Sequence, residues 1–285
     1  MKEKYIPIIK EIAEDIRKKN GLGTDAVIGD YIFTILQQEC VVMMRPIKHQ
    51  PDLDGFSTEK IIKGKLETVV YINTAKNVEK QNFCAAHELG HRYAVDSMIR
   101  DKFPEDIILP PEEEVIMNRF AAELMMPEKE FRDRGIKTWC QYGTRNRNNV
   151  FQITLKGAIQ AIIQLMDFYY MPYKAVLYRM GEVKIISSPV KIYLEGYEEG
   201  NRNVVDQMIS DMGITRLRTP DHKIQNSVPV RKDRSILENP RIAKYLTEKE
   251  QAQYLKNLGL SKNKIALAGK MREIETEMLD LSDKP

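Results

Sequence analysis

Long apolar stretches are missing from this chain of 285 residues. None approaches the ~18 consecutive residues that a membrane helix needs, so no such span is expected. An excess of one charge is missing as well. Forty-four Lys and Arg face 41 Asp and Glu, a net of +3, so no global field draws the chain to nucleic acid or an anionic membrane. Cysteine is sparse: Cys40, Cys84 and Cys140 are scattered without CxxC spacing, which argues against a disulfide framework and a cysteine zinc site. The opening "MKEKYIPIIKEIAEDIRKKN" is charged throughout, unlike the apolar region and small-residue cleavage site of a signal peptide. A reduced, cytoplasmic protein is therefore expected. Histidine is sparse too, with four in the whole chain.

The chain is long enough to bury a substantial core. Ile6, Ile9, Ala13 and Ile16 recur at helical spacing until "NGLG", and a second helix is expected through "DAVIGDYIFTILQQE". "CVVMMRPI" and "ETVVYIN" read as strands, separated by the turn-forming "QPDLDG". Asn73 or Thr74 is a candidate cap for the helix that follows. That helix carries small or apolar residues on more than one face: Phe83, Ala86, Gly90 and Ala94 on one, Ala85 and Leu89 on another. A helix apolar all round is a buried one. Glycine inside a helix costs about 1 kcal/mol against alanine, so Gly90 implies a packing reason. After the loop "RDKFPEDIILPPEEE" comes a helix, "EVIMNRFAAELM", closed by Pro127. "FRDRGIKTWCQYGTRNRNN" reads as a surface connection. Residues 153–186 read as two helices with a turn at Met171–Pro172 and then a strand. Further helices are expected in "VVDQMISDM", at 239–257 and at 262–280. The fold class is α+β, with three divisions: 1–130, 131–195 and 196–285.

Two of the four histidines stand in "HELGH", His87 and His91, with Glu88 between them. Histidines at i and i+4 share one helix face, so both imidazoles can converge on one zinc ion at ~2.0–2.1 Å. Glu88 lies beside that face, where its carboxylate can meet the water of such a site and act as general base. A catalytic zinc takes three protein ligands and keeps a position open. The downstream acids are Asp96, Asp101, Glu105, Asp106, Glu112, Glu113 and Glu114. Asp96 is too near on the same helix, and Glu112 and Glu113 suit the helix dipole instead. Glu114 begins "ExxxN", which puts Asn118 on its face to orient a ligating histidine. Glu114 is the expected third ligand. The competing reading is a structural histidine pair in a core.

These residues resemble the ImmA/IrrE family of metallopeptidases. "NFCAAHELGH" followed by "EVIMNRFAAELMMP" is similar to that family's HExxH and E-x-x-A-N-x-F-A-A-x-L-L-M-P, across roughly residues 25–130. The resemblance implies a zincin-like catalytic domain, with a small sheet beside the HExxH helix and a mainly helical C-terminal half. It implies zinc held by His87, His91 and Glu114, Glu88 as base and Asn118 as the partner of a ligand. It implies that residues 131–195 are helix-turn-helix-like, and that the substrate is a helix-turn-helix repressor, cut to release stress-response or mobile-element genes. Such a repressor is expected to be co-encoded. Two departures stand out: Met117 where the family usually has alanine, and Val95 where many members have histidine.

Weaker signals complete the reading. Cys84, one turn before His87, is expected to pack as a small hydrophobe. Tyr93, Tyr142 and His222 are candidate oxyanion donors, and His49 is expected to be solvated. "PYKAVLYRM" offers only Lys174 and Arg179 as basic groups, which argues against direct DNA binding. A substrate strand is expected to pair near "DGFST" or "VVYIN". The residues after about Gly200 are expected to be dispensable for metal binding. Manganese or iron in place of zinc stays open. So do two rival functions: a DNA-binding regulator, or an immunity or interaction protein on a non-catalytic zincin fold.

Overall fold

The structure is a computed structural model that describes residues 1–47, 52–62, 65–220 and 225–227. Helix α1 (Ile6–Lys19) buries Ile8, Ile9, Ile12, Ala13 and Ile16 along one stripe, as its spacing requires. Arg17 at its end is buried, and its guanidinium donates to the carbonyls of Leu124 and Gly23, each at 2.7 Å. The second helix, α2 (Tyr31–Glu39), starts later than its sequence pattern suggests.

Strands β1 (Val41–Arg45), β2 (Gly55–Ile62) and β3 (Lys65–Asn73) are joined by a short strand late in the chain, Gln225–Ser227. The order places β2 at one edge, then β3, then β1, then the late strand. β1 and β3 run parallel, with Val41 opposite Val69 and Arg45 opposite Asn73. β2 runs antiparallel to β3, with Gly55 opposite Ile72. Val69, Val70 and Ile72 are fully buried, which fits a central strand covered on both faces. β3 thus has both edges paired, so "VVYIN" cannot accept a substrate strand. Among the described residues nothing pairs with the outer edge of β2, where "DGFST" lies.

Helix α3 (Val78–Arg92) packs on β2 and β3 and buries Cys84, Ala85, Ala86, Leu89 and Gly90. Its cap position is Asn77, not Asn73 or Thr74. Asn73 is used elsewhere: its amide donates to Leu53 O at 2.8 Å and Ile47 O at 3.0 Å, and its oxygen accepts from the Ile47 and Ala75 amides. The start of α3 is held by distant chain. The Val78 amide donates to Thr219 O at 3.1 Å, and the Arg218 amide donates to the buried Glu79 carboxylate. Residues beyond Gly200 therefore brace the helix that carries the motif.

A turn with Ala94 at φ 49° leads into α4 (Val95–Lys102), and α5 (Pro110–Met125) then packs antiparallel contacts along α3 and α1. α6 (Glu128–Gln141) and the hairpin of β4 (Gly143–Arg145) and β5 (Phe151–Ile153) occupy the stretch expected as a plain connection. α6 buries Phe131, Gly135 and Thr138, while Glu128–Arg132 pairs on its outer side and Glu130–Arg134 pairs against Tyr169 and Phe168 of the next helix, each at 2.6 Å. Helices α7 (Leu155–Tyr169) and α8 (Tyr173–Glu182) follow the expected turn. The strand expected next is a turn instead. Lys184 sits at φ 61°, and the Ile185 amide donates back to Met180 O at 2.9 Å, closing α8 while Val183 and Ile186 enter the core.

α9 (Ser188–Gly200) and α10 (Arg202–Asp211) complete the described helices. One apolar core runs from Tyr5 to Leu217. α8 is fastened to α5 through buried charge: Arg179, fully buried, reaches Glu123 at 2.7 Å, Glu182 at 3.0 Å and Met126 O at 2.9 Å, and Arg119 reaches both Glu123 and Glu182. The helices expected at 239–257 and 262–280, and His49 and His222, lie outside the described residues. No described helix is long and apolar enough to cross a membrane.

Candidate metal centre

α3 turns its buried small residues toward the sheet and α5, and that fixes where its polar residues face. Gly90 is the point of closest approach. A Cβ there would lie 2.9 Å from Met117 Sδ and 2.9 Å from Phe120 Cδ1, well inside ordinary contact. The packing reason expected for Gly90 is thus α5, and Met117, the departure from the family pattern, is its neighbour. Gly55 of β2 plays the same part toward α3, since a Cβ there would lie 2.5 Å from Cys84 Sγ. Burial holds the Cys84 thiol well above the usual range, so it packs as a small neutral group.

With α5 drawn in this close, its second turn faces the histidines. His87 Nε2 lies 3.2 Å from His91 Nε2 and 3.1 Å from Glu114 Oε2, and His91 Nε2 lies 3.6 Å from Glu114 Oε1. Two ligands on one tetrahedral zinc at ~2.0–2.2 Å sit roughly 3.3–3.5 Å apart. The observed separations bracket that value, and the donor set, two imidazoles and a carboxylate, suits zinc. His87 Nδ1 lies 3.0 Å from Asn118 Oδ1. An amide oxygen only accepts, so Nδ1 carries the proton and Nε2 keeps its lone pair for a metal. Glu88 turns the other way. It is buried, hydrogen-bonded to Ser57 of β2, and burial raises its carboxyl above the usual range against the opposing pull of His87, Ser57 and His91.

The three ligand candidates, Glu88 and Asn118 line one open cleft of about 460 Å³, whose other walls include Asp54, Gly55, Phe56 and Phe83. Phe56 stacks on Tyr71 at 4.7 Å between ring centres. The other acids considered as ligands stand elsewhere: Asp96 pairs with Arg100 at 2.6 Å, and Glu105 and Asp106 with Lys4. Tyr93 is engaged by Glu39 at 2.8 Å and Lys19 at 3.2 Å, and neither it nor Tyr142 lines the cleft. Two neighbours escaped the sequence reading. Ser57 comes from a strand that the sequence did not announce. Glu113, assigned there to the helix dipole, lies 3.7 Å from His91 Nδ1 and 3.5 Å from Arg100.

No curated protein and no solved structure matches the chain. The family model described as the IrrE N-terminal-like domain of the M78 peptidases matches residues 37–180. The match enters in α2, passes through both helices of the site and ends in α8, further along than the resemblance seen in the motifs alone. It spans half of the chain, and the chain belongs to the IrrE N-terminal-like, or ImmA/IrrE, family of metallopeptidases.

Proposed function

We propose that the protein is a zinc-dependent, site-specific endopeptidase whose substrate is a cytoplasmic helix-turn-helix repressor, cut to release stress-response or mobile-element genes. The observation that carries the reading is the convergence of three ligand atoms and one buried carboxylate on a single open cleft. His87, His91 and Glu114 would hold the ion. When bound, zinc supplies Lewis acidity toward a carbonyl oxygen and a water acidic enough to lose its proton near neutrality.

Glu88 is the general base and then the general acid. Its carboxylate takes the proton of the attacking water and returns it to the departing amide nitrogen, a role favoured by burial, which raises the carboxyl above its usual range. The hydrogen bond with Ser57 holds that carboxylate in place. Asn118 keeps His87 in the tautomer that ligation needs. The edge of β2 that no described strand pairs with, which carries the cleft residues Gly55, Phe56 and Ser57, is where an extended substrate adds as a strand. The identity of the substrate rests on the family resemblance. Consistent with a protein substrate instead of DNA, α8 offers a single exposed basic side chain, Lys174, paired with Glu195 at 2.6 Å, while Arg179 is held in its buried cluster.

The test is cleavage of the helix-turn-helix repressor encoded beside this chain, followed by mass spectrometry with zinc present. Glu88→Gln should keep zinc and fold while losing turnover by a factor of about 10²–10⁴. A repressor that binds tightly and stays whole with zinc bound would make the protein a binding module.

A further inference from the structure

A second cavity, of about 490 Å³, opens beside the metal cleft. The two share Asp54, Phe83 and Asn118 as a common wall. Its lining is mainly apolar, from Val115 and Ala122 of α5 and from Tyr173, Ala175 and Tyr178 of α8. The charges around it are largely answered within the protein. Glu182 is held by Arg119 and Arg179, Glu198 by Arg218 at 2.5 Å and Lys174 by Glu195 at 2.6 Å, while Lys80 and the exposed Arg202 add positive charge to the lining. What the cavity offers an occupant is therefore mainly apolar surface.

Position gives the occupant its register. Phe83 is one helical turn before His87 on α3, and Ala122 is about two turns after Glu114 on α5. At ~1.5 Å per residue the shared wall lies roughly 6 Å from the ligands and the far wall roughly 12 Å. An extended peptide advances ~3.3 Å per residue. We propose that this cavity is a substrate subsite that takes one large apolar side chain, leucine, methionine or phenylalanine, about two to four residues from the scissile bond. The inference rests on the peptidase reading. It gives α8 a role in specificity, as the wall that closes the subsite.

The test profiles new chain ends released from a denatured peptide library by the full-length zinc protein, by Ala175→Trp, which fills the cavity, and by Tyr178→Ala, which widens it. Circular dichroism and zinc content check each variant. The wild type should favour a large apolar residue over alanine about tenfold at one fixed position near the cut. Ala175→Trp should lose most of that preference, and Tyr178→Ala should shift it toward tryptophan. In parallel, saturation-transfer NMR compares N-acetyl-phenylalaninamide with N-acetyl-alaninamide as probes of the wild type and Ala175→Trp. Cleavage with no such preference, or with one that neither variant alters, overturns the subsite and leaves the peptidase standing. Absence of cleavage of both the library and the repressor, with the aromatic probe bound by the wild type and lost in Ala175→Trp, removes the peptidase reading and keeps an apolar ligand site. Absence of both overturns both.

Discussion

Replacing Gly90 with alanine sets two effects of opposite sign against each other. Alanine favours a helix over glycine by about 1 kcal/mol. Against that, the added methyl lies 2.9 Å from both Met117 Sδ and Phe120 Cδ1, where unstrained carbon contacts are ~3.5–4.0 Å. Such overpacking costs about 1–3 kcal/mol. The sulfur is the end of a flexible side chain and can move, but the Phe120 ring is fully buried and cannot move far. A net loss of about 1 kcal/mol is expected in urea unfolding of the metal-free protein. The strain also has a direction, since it pushes α5 away from α3. Met117 lies three residues after Glu114 and beside Asn118, so zinc affinity should fall with stability. Met117→Ala alone should cost about 2–5 kcal/mol by opening a cavity. In the double variant the two changes should relieve each other, with a coupling of roughly 0.5–3 kcal/mol. A Gly90→Ala protein more stable than wild type with unchanged zinc affinity, or strict additivity with Met117→Ala, would refute the close-packing argument.

Other expectations follow from the same contacts. Glu114→Gln keeps the size of the side chain but removes its charge, and competition titration should show a larger loss of zinc affinity than Asn118→Ala, itself expected to cost 10- to 100-fold; equal affinity for Glu114→Gln and wild type would exclude Glu114 as a ligand. The Asp106 carboxyl is held well below its usual range by hydrogen bonds from Lys2, Lys4 and Tyr5, at 2.6, 2.8 and 2.6 Å. A depressed carboxyl stabilises the fold above its unfolded pKa of ~3.9 and loses that contribution as pH falls through its folded value. The stability gap between wild type and Asp106→Asn should therefore be constant from pH 7 to pH 5 and shrink below about pH 4; a gap independent of pH would contradict the pairing. Arg179→Met leaves Glu123 and Glu182 to share Arg119 alone, and a loss of about 3–5 kcal/mol is expected; a loss under 1 kcal/mol in urea unfolding would show that the buried cluster is no lock. A chain ending near Gly200 should lose zinc affinity as well as stability, because Thr219 and Arg218 hold the first turn of α3.

Local periodicity determined much of the candidate site. Helical spacing alone puts His87 and His91 on one face, and it puts Asn118 one turn beyond Glu114, so these four could be named before their distances were known. The small and apolar residues from Cys84 to Gly90 announced a buried helix, though Ala94, read on the same face, is exposed beyond its end, and the glycine announced a close neighbour. Other features could not be read this way because they join segments far apart in the chain. Ser57 reaches Glu88 from a strand 31 residues away, and nothing local to either residue records that pairing. Strand propensity marks "VVYIN" as β but says nothing of its order in the sheet, so only the pairing of β3 on both sides removes it as a docking edge. The charges of α6 concealed a helix, because they pair with one another at i,i+4 while Phe131, Gly135 and Thr138 face in. The brace from Arg218 to Glu79 spans 139 residues. The residues of the site carry their chemistry in their own spacing, and the neighbours that place the base, close the cavity and hold the helix are set by contacts that only the folded chain makes.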